Sequence, residues 1–163
     1  MSWSLPMESV YKGNFDAAFF DTSGCAGVGV VFRDSQGQVI AALSQKIPLV
    51  QSMELVEAMA ARRALFFAKE LSLFDVEMEG DCSRVLAALN MVRSCSTLFG
   101  HVIDECKSLG MSLCSCKFNH VRREGNRLVH VLAKRAVISV DMNVWVESLL
   151  SDLDSVFQSD LFQ

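Results

Sequence analysis

The chain has 163 residues, of which 51% are hydrophobic and 21% charged, and a formal net charge of −4. This composition excludes disorder and suits one globular domain with a sizeable core. The negative balance argues against a generic nucleic-acid-binding surface, and no apolar run is long enough to span a bilayer.

Residues 1–12 read as a lead-in, with Trp3 and Pro6 against the domain edge and no basic start or apolar core of a signal peptide. From Asn14 to Leu43 the chain reads as strand, turn, strand, turn, strand. Asn14–Phe20 is apolar and β-prone around a single acid, Asp16. Gly24, Gly27 and Gly29 permit tight turning and close backbone approach, and Gly27–Phe32 is an apolar run. Asp34-Ser35-Gln36-Gly37 signals a turn, and Gln38–Leu43 returns. The bland account of Asp16 is a strand residue pointing to solvent.

Ser52 caps a helix from Met53 to about Leu71. Leu55, Met59 and Phe66 make one apolar stripe on it. Ala60, Ala61, Ala64 and Ala68 make a neighbouring small-residue face suited to lying close on a sheet, with Glu57 as its exception. Asp75–Glu79 is a short strand ended by Gly80, and Asp81 precedes a second helix through about Met91, as an N-cap would. Thr97 to about Leu109 is a third helix, Leu113–His120 a fifth strand, and Val121–Gly125 a basic loop. Asn126 caps a helix through about Val137, and Val144–Phe157 carries an apolar helical stripe. This order predicts an α/β domain. Three antiparallel strands followed by parallel crossovers give a mixed five-stranded sheet flanked by helices. One domain spans 1–163, with a core at about 12–138 and an acidic amphipathic helix at about 144–157. The sequence gives no oligomeric state.

Six scattered cysteines without a C-x-x-C pair support neither a zinc site nor a redox motif, and imply a reduced intracellular compartment, nucleus or cytoplasm. Charge is unevenly placed. Residues 141–163 hold Asp141, Glu147, Asp152, Asp154 and Asp160 and no Lys or Arg. Residues 117–135 hold Lys117, Arg122, Arg123, Arg127, Lys134 and Arg135 against Glu124 alone. That run is either a local nucleic-acid-binding face or a solvated helix face.

If the first and fourth strands are neighbours, Asp16 and Asp81 meet at one edge of the sheet, and a helix packed across it brings Glu57 to the same place. Three close carboxylates repel unless a cation is present, and hard divalent cations take such oxygen ligands. Two ions roughly 4 Å apart would clamp a phosphodiester for in-line attack by water.

Five fragments in order carry a resemblance. They are N-F-D-A-A-F at 14–19, A-G-V-G-V-V-F-R-D-S-Q-G at 26–37, V-E-A-M-A-A-R-R-A-L at 56–65, E-G-D at 79–81 and H-V-R-R-E-G-N-R-L-V-H-V-L-A-K at 120–134. The chain resembles the type 1 ribonuclease H family, in particular its plant retroelement-derived, reverse transcriptase-like branch. W-S-L-P at 3–6 and Y-K-G-N at 11–14 resemble that branch's entry. The resemblance implies a ribonuclease H-like fold and a metal-dependent nuclease that cuts the RNA strand of RNA–DNA hybrids with Mg²⁺ or Mn²⁺. The family's first three carboxylates map onto Asp16, Glu57 and Asp81, as metal ligands. Glu54 rivals Glu57, but E-x-x-A-x-x-x-x-L runs correctly from Glu57 through Ala60 to Leu65. The family's loop histidine maps onto His120. Its fourth carboxylate falls on His130, and imidazole is a poor Mg²⁺ ligand. Arg122, Arg123 and Arg127 are the expected nucleic-acid contacts. The alternatives are a ribonuclease H-like module that grips RNA–DNA hybrid or RNA duplex without cutting, and a protein-interaction domain using the segment 144–157.

Overall fold

The structure, a computed structural model, describes residues 10–20, 24–48, 50, 52–94, 99–136, 138 and 142–146. Strands β1 (Tyr11–Phe20), β2 (Cys25–Arg33) and β3 (Val39–Pro48) form an antiparallel meander. Asp34 closes the second turn, its Oδ1 accepting from the Gln36 and Gln38 amides, both at 2.9 Å. Helix α1 (Met53–Glu70) starts at Ser52, whose hydroxyl accepts from the Leu55 amide at 3.1 Å. The chain then crosses to β4 (Asp75–Gly80), parallel to β1. Helices α2 (Ser83–Leu89) and α3 (Gly100–Met111) lead to β5 (Ser115–His120), parallel to β4. A 3₁₀ turn at Arg123–Asn126 opens α4 (Arg127–Arg135), and β6 (Met142–Val146) closes the described chain.

Among the described residues the sheet has six strands in the order β5-β4-β1-β2-β3-β6, one more than the sequence predicts. The added strand takes the first residues expected to be helical. Val144, Trp145 and Val146 pair with Leu43, Ala42 and Ala41. β-Branched and aromatic side chains suit a pleated surface, and the outer edge of β3 supplies a hydrogen-bonding partner that a helix would leave open. Residues 147–157 of the expected helix lie outside the described residues, as do Trp3, Pro6 and the expected helix start at Thr97.

Alternation along the strands divides the core in two. Phe15, Ala17, Val28, Val30, Phe32, Leu43, Val76 and Met78 pack with α1, α2 and α3. Val31 and Ala42 face the other way, onto Val129 and Leu132 of α4, with Trp145 beside them. On α1 the alanines Ala60, Ala61, Ala64 and Ala68 are buried with Leu65 and Phe67. The expected stripe fares differently, because Phe66 points outward at 44% exposure. Phe67 meets Phe32 at a ring separation of 5.8 Å, and burying each such ring contributes about 1.5–3 kcal/mol.

Helix α4 lies in backbone contact with β2. A Cβ on Gly27 would overlap the Ala133 carbonyl oxygen, and one on Gly29 the Val129 carbonyl oxygen. The Ser44 hydroxyl donates to the Leu132 carbonyl at 2.7 Å across the same interface. Backbone cannot yield as a side chain does, so Gly27→Ala should lift α4 and destabilise the domain by about 1–3 kcal/mol, the usual cost of overpacking. Urea denaturation measures this, and an unchanged midpoint would show that the helix moves freely.

Candidate functional site

The parallel register of β1 and β4 builds the site. Asn14 lies opposite Glu79, the last matched pair of that ladder to place a side chain on the α4 face. Side chains alternate, so Asp16 and Asp81, each two residues further on, come to the same level and the same face. Beyond Asn14, β1 continues against β2 alone. Glu57, from α1 on the opposite face, reaches both acids there. Asp16, Glu57 and Asp81 each offer an oxygen, all within 4.8 Å of one another. Glu54 points elsewhere, accepting from Arg84 Nη1 at 3.2 Å. Asp81 does not cap α2: the N-cap position is Cys82, with no side-chain cap bond, so the carboxylate is left for the cluster.

Asp16 and Glu57 are 2% and 5% exposed. Burial first, then the charge of Asp16 and a hydrogen bond to it, push the Glu57 carboxyl up to about 10, with Asp81 adding and the Ala17 amide opposing. Burial and Asp16 raise Asp81 too, against the opposing influence of Arg123 and then His130. Among the described residues Glu57 Oε2 is buried without a hydrogen-bond partner, which costs stability and suits an oxygen-seeking cation. The residues present therefore fit a hard divalent ion.

The acids line a cavity of about 410 Å³ with Cys82, Arg123, His130 and Lys134. A larger groove of about 740 Å³ beside β5 is lined by no acid. His130 Nδ1 lies 2.8 Å from Asp16 Oδ2, so the fourth position does enter the site, as imidazole. His120 ends β5 opposite Gly80, its Nε2 3.2 Å from the Asp81 carbonyl, and does not line the cavity. Arg122, Arg123 and Arg127 are all exposed, and only Arg123 lines the cavity. Lys134 joins it because it lies one helical turn beyond His130, a spacing readable in the sequence.

A buried polar network escaped the sequence reading. Asn126 occupies the N-cap position of α4, as expected, but makes no side-chain capping bond. Its side chain donates to the Phe15 carbonyl at 2.9 Å and accepts from Asn14 Nδ2 at 3.2 Å. Asn14 Nδ2 also donates to Glu79 at 3.0 Å, and Glu79 pairs with Lys12 at 3.2 Å. The signal was available, since strand alternation puts Asn14 on the same face as Asp16.

Residues 14–136 match a protein-family profile described as "Reverse transcriptase-like". No curated protein matches the chain. Among solved structures, the fold is shared with the ribonuclease H1 of the halophilic archaeon Halobacterium salinarum, at 23% identity over 79% of this chain and 98% of that one, TM-score 0.73. It is shared with the N-terminal ribonuclease H domain of a Mycobacterium tuberculosis protein, at 18% identity over 79% and 94%, TM-score 0.68. A ribonuclease H1 isolated from compost, solved with an RNA/DNA hybrid, matches at 22% identity over 78% and 96%, TM-score 0.69.

The raised carboxyl gives a stability prediction. Between the ordinary value of 4.5 and about 10, folded Glu57 holds a proton that the unfolded chain has released, so metal-free stability falls as pH rises through this window. Glu57→Gln should therefore melt higher than the parent at pH 8 and the same at pH 4, each kcal/mol amounting to about 2–4 °C. Thermal melts in chelator check this, and equal melting temperatures at pH 8 would contradict it.

Proposed function

The chain belongs to the reverse transcriptase-like family and has a ribonuclease H fold, and from that premise we propose that it is a divalent-metal-dependent endonuclease hydrolysing the RNA strand of RNA–DNA hybrids. The single observation carrying this reading is the close set of Asp16, Glu57 and Asp81, with Glu57 Oε2 buried and unpartnered. These three residues would hold the metal. When bound, the ion would activate a water and offset charge at the scissile phosphate. Arg123 and Lys134, on the same cavity, present cations to the phosphate backbone, and Arg122 and Arg127 extend that face. His120, exposed and bonded to the Asp81 carbonyl beside the cavity, would pass a proton in this reading. Recognition would rest on the 2′-hydroxyl and the shallow groove rather than on base sequence. A hybrid bound by the compost relative supports the substrate class.

A non-cutting hybrid- or duplex-binding module is the second reading, favoured by His130 standing where a fourth carboxylate is expected. One series separates them. Cleavage of an RNA–DNA hybrid should be feeble with Mg²⁺ and faster with Mn²⁺, which binds more tightly and accepts nitrogen more readily. His130→Asp should raise the Mg²⁺ rate about tenfold or more, requiring only ~1.4 kcal/mol of transition-state stabilisation. Adding Asp16→Asn should abolish it. Silence of both the parent and His130→Asp with either metal would leave the binding module.

Binding has its own test. With Arg122, Arg123 and Arg127 all changed to Ala, the dependence of hybrid affinity on salt should flatten, by about 0.9 in logarithmic slope for each phosphate no longer neutralised. An unchanged slope would mean that these arginines only solvate the loop.

A further inference from the structure

Position 130 is where the family likeness leads one to expect a fourth carboxylate beside Asp16. Nδ1 of histidine stands at the same depth from the backbone as an aspartate Oδ, both being the first atoms beyond Cγ. Here Nδ1 lies 2.8 Å from Asp16 Oδ2. Two carboxylate oxygens that close would repel unless a shared cation or a proton held them. Asp16 Oδ2 accepts, so Nδ1 brings its own hydrogen and closes the gap with an N–H···O bond. Helix α4 cannot draw back to make room. Val129 and Leu132, on either side of His130, are fully buried, and the helix backbone rests on Gly27 and Gly29.

The approach of the other two acids to Asp16 differs. Glu57 and Asp81 each bring an oxygen within 4.8 Å of it, and Glu57 Oε2 has no hydrogen-bond partner among the described residues. We infer that the chain holds one divalent cation rather than two: the ion sits among Asp16, Glu57 and Asp81, and the His130 imidazole fills the place beside Asp16 that a second ion would take. This inference rests on the reading of those three acids as metal ligands.

Counting ions on the full chain tests it without reference to cleavage. Mn²⁺ titrated into the protein is followed by loss of the free-ion paramagnetic resonance signal. The parent should bind one Mn²⁺ per chain. His130→Asp should bind two, because its carboxylate then faces Asp16 across a gap that Mn²⁺ bridges in place of a shared proton. His130→Asn, which keeps an N–H donor at the same depth, should still bind one, and circular dichroism verifies that each variant is folded. Two ions on the parent, or one on folded His130→Asp, would overturn the inference and leave the nuclease reading standing. A parent that binds no Mn²⁺ would remove the three-acid metal site itself, and the inference with it.

Discussion

Everything at the site depends on one strand pairing, the parallel register that sets Asn14 against Glu79. It levels Asp16 with Asp81, and it stops where β1 outruns β4, opening the gap through which Glu57 reaches across the sheet. A shift of one residue would turn Asp16 to the opposite face, among Phe15 and Ala17. The register is held by side chains as well as by the ladder. Asn14 bonds Glu79 and Asn126, and Asn126 bonds the Phe15 carbonyl, one residue from Asp16. Strand β1, strand β4 and the turn before α4 are thereby tied at one point.

Stability and site chemistry pull against each other within a few ångströms. The neighbouring asparagines satisfy their donors and acceptors and fix geometry at little cost. The three carboxylates do the reverse, since burial and mutual repulsion favour a proton on Glu57. The surrounding fold bears that cost. Alanines set α1 close to the sheet, and glycines let α4 touch β2, so the acids are held by helices that have no slack.

Most of this architecture was legible. Apolar, β-prone runs between turn signals gave the first three strands, the Ser52 cap and the alanine face gave α1, and the isolated acid in an apolar strand marked Asp16. Choosing Glu57 over Glu54 needed a pattern, because both lie on the same helix one turn apart. What separates them in space is the partner each finds, Asp16 for one and Arg84 for the other. Capping preference misled at Asp81, and at Asn126 it found the N-cap position but not the side chain's role; both side chains are taken by long-range contacts that local propensity cannot register. The sixth strand was missed because V-W-V is apolar at helical as well as strand spacing, and only the open edge of β3 decides between them.

That last pairing bears on the exposed edges of the sheet. With β6 in place, β3 is an interior strand, and among the described residues the sheet is bordered by the five-residue β6 on one side and by β5 on the other. On β5 the edge is partly taken up. There the Asn90 amide occupies one outward carbonyl, that of Phe118, at 3.0 Å. A fragment cut after α4 would keep every acid of the site yet bare a ten-residue, largely apolar strand, a ready template for cross-chain sheet growth. The five residues of β6 thus act as a guard against aggregation, and a soluble fragment has to extend past Val146.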